Sequence, residues 1–109
     1  MKIYKGTVSP GNLDWRVTVD GQPLDLRLDL RNHSPDGFAW GYGGSGPAQL
    51  SLAILADCTD DQTAQDYYQD FKVVIGRLDK DKGFELTEEE VMDTLGKIIA
   101  SRAQKKRWM

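Results

Sequence analysis

Gly41-Tyr42-Gly43-Gly44-Ser45-Gly46 fits the pattern G-x-G-x-x-G and stands between an extended segment and an apolar helix. Amides freed by glycine and the positive end of a helix are what a phosphate needs, so this stretch is a candidate cradle for an anion or nucleotide. The rest of a dinucleotide fingerprint is missing. No parallel strand follows within a βαβ unit, and Asp61, about 20 residues on where a ribose-binding acid would stand, opens the next helix instead of ending a strand. Gly43, Ser45 and Pro47 imitate a nucleophile elbow with proline in place of its second glycine. His33 with Asp29 or Asp36 could supply a base and its orienter. A helix-capping role for Ser45 and a turn role for His33 account for both residues without catalysis.

Two further candidates are weaker still. Asp79-Lys80-Asp81-Lys82-Gly83, with Glu90 further on, imitates a calcium loop but falls out of register, its glycine one position early and lysines among the ligands. A polar helix-to-helix turn explains it better. Cys58 has nothing basic near it in sequence and reads as a small buried residue. As the only cysteine it excludes an internal disulfide and any multi-cysteine zinc site, and with His33 the only histidine, metal chemistry would rest on carboxylates. No metal and no cofactor is expected.

Trp15, Trp40, Tyr42, Tyr67 and Tyr68 could gather at the glycine loop as a recognition surface or form the core. Trp15, Tyr68 and Phe71 are assigned to the core, whereas Tyr42, flanked by glycines, is assigned to function. The candidate ligand- or partner-binding set is therefore Asn32, His33, Trp40, Tyr42, Gly43, Gly44, Ser45 and Gly46, with no catalytic residue named.

These residues need a frame, and 109 residues with 39% hydrophobic content are enough for one domain with a two-layer core. The expected unit is residues 1–109 as a single domain whose basic end, 100–109, frays. There is no run of apolar residues long enough for a membrane span and no apolar leader after Met1, so a cytoplasmic location is expected and no membrane partner. Net charge is −3 but unevenly spread. Acids crowd the segment from Asp57 to Asp93, and Lys97, Arg102, Lys105, Lys106 and Arg107 follow without an acid between them. Helix-dipole complementarity is the simpler reading; contact with nucleic acid is the sharper one.

Periodicity supplies the elements. Lys2 to Val8 reads as a strand, ended by the turn cluster Ser9-Pro10-Gly11-Asn12. From Asp14 to Asp20, Trp15, Val17 and Val19 alternate with polar residues, and after the turn Asp20-Gly21-Gln22-Pro23 the leucines Leu24, Leu26, Leu28 and Leu30 alternate with Asp25, Arg27, Asp29 and Arg31. This predicts three antiparallel strands in a meander, with cross-strand pairs among Arg16, Arg27, Asp25 and Asp29 on the solvated face. Phe38 to Trp40 is the expected fourth extended segment. A helix from Pro47 to Ala56, capped by Ser45, is apolar on nearly every side and predicted to be buried. Thr59 and Gln62 suggest a capping box for a second helix, with Ala64, Tyr67, Tyr68, Phe71, Val74, Ile75 and Leu78 on its buried stripe. Thr87 and Glu90 suggest another for a third, which runs on Val91, Leu95, Ile98 and Ile99. The predicted class is α+β: a three- to four-stranded antiparallel meander packed on three helices, one of them central and buried.

The run Asn32-His33-Ser34-Pro35-Asp36-Gly37-Phe38-Ala39-Trp40-Gly41-Tyr42-Gly43-Gly44-Ser45-Gly46-Pro47-Ala48-Gln49-Leu50-Ser51-Leu52-Ala53-Ile54-Leu55-Ala56 resembles a family of small prokaryotic domains of unknown function, found in bacteria, archaea and some phages and plasmids. The resemblance continues through Tyr68-Gln69-Asp70-Phe71-Lys72 and Phe84-Glu85-Leu86-Thr87 and stops before the basic end. It implies an intact single domain and draws attention to the glycine loop without naming a ligand. Small accessory genes on mobile elements often act on host machinery, including defence systems. The expected function is accordingly a non-enzymatic binding or accessory protein that modulates a host protein through the glycine-rich loop. The alternative is a phosphate-containing small molecule, such as a nucleotide, held at Gly43 to Gly46. A third reading is nucleic-acid binding through the basic C-terminus.

Overall fold

The computed structural model describes residues 1–107. Trp108 and Met109 of the basic end lie outside the described residues. Strands β1 (Ile3–Val8) and β2 (Trp15–Val19) pair antiparallel across a short 3-10 turn at Pro10–Asn12, with Tyr4 opposite Val19 and Val8 opposite Trp15. Asp20 and Gly21, at φ of 49° and 83°, make the tight turn for which Asp-Gly is favoured, and β3 (Gln22–Pro23) pairs back onto β2. Helices α1 (Ser45–Cys58) and α2 (Asp61–Gly76) follow, then β4 (Phe84–Thr87) and α3 (Glu88–Arg107). β4 lies antiparallel to the other edge of β1, giving the order β3-β2-β1-β4. The class is α+β, a four-stranded antiparallel sheet with three helices.

Two strand expectations are corrected. The leucine alternation from Leu24 to Leu30 does not continue as a strand, and Phe38 to Trp40 is not the fourth. β3 ends at Pro23, which has no amide to give a ladder, and beyond Leu24 the backbone finds side chains in place of a neighbouring strand. The Asp25 carboxylate accepts from the Arg27 amide, and Arg27 itself sits at φ 55° in a turn closed by Leu30 N–H donating to the Arg27 carbonyl. Arg27 therefore pairs with Asp29 and with Asp61 at the start of α2, not across a sheet. The true fourth strand comes from Phe84-Glu85-Leu86-Thr87, too short for its own alternation to stand out.

In α1 every residue from Gly46 to Ala56 is buried. Complete burial of Leu50, Leu52, Ile54 and Leu55 contributes about 1.5–3 kcal/mol for each side chain. α2 turns Ala64, Tyr68, Phe71 and Ile75 inward, at the spacing of one helix face. α3 buries Val91 and Leu95 and runs to Arg107. Lying inward, the sheet residues Tyr4, Val17 and Phe84 meet this helical layer. Among the described residues no helix is long and apolar enough to cross a membrane.

The caps differ from the local expectation in two cases of three. α1 starts at Ser45 itself, with extended Gly44 as N-cap and no side-chain cap bond. α2 is capped by Asp60, whose carboxylate accepts from Thr63 N–H at 2.8 Å, while Thr59 donates its hydroxyl to the Leu55 carbonyl. Only Thr87 and Glu90 form the reciprocal box, Glu90 N–H to Thr87 Oγ1 at 3.1 Å and Thr87 N–H to Glu90 Oε1 at 3.2 Å.

Two predictions follow from this framework. A Cβ at Gly6 in β1 would overlap the Phe84 ring. Gly6→Val is expected to lower stability by ~1–3 kcal/mol, read as a drop in the urea midpoint. At α2, the Thr63 amide holds the Asp60 carboxyl below its usual range. A folded pKa lower than the unfolded one means that the contribution is complete above the unfolded value and is lost as pH falls through the folded one. Asp60→Asn retains a capping oxygen without titrating, so its melting temperature is expected to fall less between about pH 5 and pH 2 than that of the parent.

Candidate functional site

Gln49 is the one side-chain amide in α1, set among the apolar and small residues of its buried stretch Gly46 to Ala56, and it is fully buried. Its Oε1 accepts from the amides of His33 and Ser34, at 2.8 and 3.1 Å. Its Nε2 donates to the carbonyls of Leu26 and Arg31, the latter at 3.0 Å. Four backbone groups of segment 26–34 are thereby satisfied by one amide, which does for this segment what a strand ladder would have done. His33 Nε2 then shares a 2.7 Å hydrogen bond with the Tyr68 hydroxyl, and Ser51 Oγ donates to the Tyr68 carbonyl. His33 is a brace between the crossover and α2.

Further along, Trp40 is fully buried. Its indole N–H reaches the carbonyls of Asp79 and Lys82, and its ring meets Trp15 and Phe84 edge to face at centroid distances of 4.6 and 4.9 Å. Gly41 N–H donates to the Ile75 carbonyl at the end of α2. At φ 86° and with Lys80 N only 2.6 Å from where a Cβ would stand, position 41 tolerates glycine alone. Trp40, one of the residues expected in the binding set, is buried here and pins the loop to the α2–β4 turn.

The next glycines make room for Tyr42. Its ring lies against Gly44, where a Cβ would come within 2.7 Å of Cε2, and its hydroxyl lies near Gly46, which also abuts Ala39. Nothing stands within 4 Å of a Cβ at Gly43. Tyr42 is 46% exposed and leans over the start of α1. Between this loop and the β1–β2 end of the sheet lies an open cleft of about 310 Å³, lined by Leu13, Asp14, Trp15, Ser34, Asp36–Ala39, Tyr42, Ser45 and Gly46. Ser34 Oγ donates to the Gly37 carbonyl at 2.7 Å and shapes its far wall.

Of the candidates read from sequence, Tyr42, Ser45 and Gly46 meet at this cleft. Asn32, His33, Trp40, Gly43 and Gly44 are not among its lining residues. Tyr67 is elsewhere, beneath the Arg102 guanidinium at 4.5 Å from its ring centre. Leu13, Asp14 and Phe38 were not anticipated as site residues. Leu13 carried a signal, an apolar side chain directly after a turn cluster, and it is 87% exposed. Gln49 carried one too, a lone amide within an apolar helix. Phe38 and Asp14 gave none, since their role comes from the packing of distant segments.

The profile of a family of unknown function, DUF6166, matches residues 4–97. The chain belongs to that family. No curated protein and no solved structure matches it. Every residue lining the cleft, and Gln49 behind it, falls inside the span the family covers, whereas Arg102 and Lys105 fall outside.

The remaining chemistry-bearing groups are engaged in structure. Tyr4 donates to Asp57 Oδ2 at 2.8 Å and Lys2 reaches the same carboxylate at 3.2 Å. Burial first, and the Asp57 carboxylate second, push the Tyr4 phenol above its ordinary value and keep it a neutral donor. Burial likewise pushes the Cys58 thiol up, against the lowering effect of the Tyr4 hydroxyl, which disfavours the thiolate that nucleophilic chemistry requires. Among the described residues no three His, Cys, Asp or Glu side chains group as a metal site.

Gln49→Leu keeps the volume and removes every partner of the four backbone groups it serves. The expected loss is about 2–5 kcal/mol, far above that of an apolar swap at the same site, with faster amide exchange at His33 and Ser34. Amide exchange followed by NMR, together with urea unfolding, measures both.

Proposed function

We propose that this chain is a non-enzymatic docking protein that holds a partner protein in the cleft between the β1–β2 end of the sheet and the loop before α1. The observation that carries the reading is the convergence of exposed Leu13 and Tyr42 with Trp15 and Phe38 on one opening. Aromatic and apolar side chains exposed together on a fixed frame are how a protein surface gains affinity at low entropic cost. The sequence resemblance implies an accessory role of the kind that mobile-element genes play, and on this reading the partner is a host protein.

A phosphate at the helix start is the weaker alternative. The Ser45 and Gly46 amides stand in the first turn of α1, where no intrahelical acceptor exists, and this favours an anion. Against it, Asp14 and Asp36 line the same cleft, and two whole negative charges outweigh a helix end equivalent to about half a positive one. Nucleic-acid binding at the C-terminus is weaker too. Arg102 is already held by Asp70 and Tyr67, and its neighbours Lys97 and Lys105 share a hollow of about 260 Å³ with that same Asp70.

The test is co-purification from the native cell. A protein bound in stoichiometric amount is expected to be lost on Tyr42→Ala and on Leu13→Asp, with unchanged melting temperatures, and kept on Val73→Asp, which alters an exposed apolar residue on α2. Retention of the partner by both cleft variants overturns the reading.

A further inference from the structure

We infer that the partner enters this cleft with a basic side chain, arginine or lysine, flanked by apolar residues; the inference rests on the docking reading and specifies its chemistry. Charge complementarity is the first argument. Asp14 on the sheet side and Asp36 on the crossover side line one opening, and no Lys or Arg lines it with them. Among the described residues Asp36 takes part in no salt bridge. Asp14 pairs with Arg16 at 2.8 Å, but the two side chains are 52% and 75% exposed, and such a surface pair exchanges readily for a better-placed cation.

The second argument is the walls. Trp15, Phe38 and Tyr42 line the same volume, and aromatic walls of this kind suit a guanidinium or ammonium and its alkyl stem. A cavity of about 310 Å³ is at the small end of binding sites, large enough for one long side chain and its flanks. The opposing influence is the positive end of α1, whose Ser45 and Gly46 line the same opening, and a helix end equivalent to about half a charge is outweighed by two carboxylates. Acidic segments are repelled by Asp14 and Asp36, and neutral ones gain hydrogen bonds without the attraction of opposite charge. Basic ones gain from both the carboxylates and the rings.

Four blocked pentapeptides, Gly-Leu-X-Leu-Gly with X as Arg, Lys, Gln or Glu, titrated into the full chain at low salt and followed by amide chemical shifts, test this directly. Arg and Lys peptides are expected to move the Leu13, Asp14, Phe38 and Tyr42 resonances. Asp36→Asn is expected to weaken them about fivefold, and the Asp14→Asn, Asp36→Asn pair about tenfold or more, with melting temperatures preserved. Equal binding of the Gln peptide, or preference for the Glu peptide or for inorganic phosphate, overturns the basic side chain while leaving docking in place. Spermidine binding as tightly as the Arg peptide also overturns it, since a free amine would then suffice. No shift at the cleft with any probe overturns it as well, and the co-purification experiment decides separately whether docking falls with it.

Discussion

One buried amide governs the course of the chain between sheet and helices. Gln49 sits at the start of α1, where it contacts no solvent, and binds two amides and two carbonyls of the segment that wraps the helix. Each such bond is worth only about 1 kcal/mol net, but each group left unpaired in the same place would cost about 1–3 kcal/mol. The stake is therefore specificity of path more than gross stability. A segment with leucine alternation, able to lie as an edge strand, is held in an irregular wrap because an internal donor and acceptor set is available only along that path.

Trp40 fixes the end of the wrap as Gln49 fixes its start. The two anchors differ in kind, one a small polar network and the other a large ring packed between Trp15 and Phe84 with its N–H spent on two carbonyls of the α2–β4 turn. Phe38 and Ala39, between the two anchors, and Tyr42, directly after Trp40 and the bonded Gly41, therefore reach the cleft from a preorganised backbone. Most glycines of the loop then have a packing purpose. Gly41 passes Lys80, Gly44 admits the Tyr42 ring, and Gly46 clears Ala39. A stretch that looked like a phosphate cradle is in large part a set of close crossings.

At the other end of α1, Asp57 gathers Tyr4 of β1 and Lys2 just before it. An apolar helix tied by polar contacts at both ends is fixed along its own axis as well as by burial, which hydrophobic packing alone, being non-directional, does not achieve. The sheet end carries one side of the cleft, Leu13 to Trp15, and the loop leading into α1 the other, Tyr42, Ser45 and Gly46. Its charge comes from residues far apart in sequence, Asp14 and Asp36, neither of which belongs to a cluster when read locally.

Some features were determined by neighbouring residues alone. The alternation of Trp15, Val17 and Val19, the Asp20-Gly21 turn, the Ala64, Tyr68, Phe71 and Ile75 part of the α2 stripe and the Thr87–Glu90 box each depend on contacts within a few positions, and these formed as their patterns prescribe. Family membership was likewise legible, because it is a property of the residues in order. What the tertiary structure decided were matters of long-range pairing. Leu24 to Leu30 lost its strand to Gln49 and Asp25, Phe84 to Thr87 became the fourth strand by meeting β1, Trp40 went inside, and the cleft acquired Leu13, Asp14 and Phe38. The physical reason is that periodicity records which face of a segment is apolar, whereas the partner of each backbone amide, and the space left beside each glycine, are set by chain arriving from elsewhere.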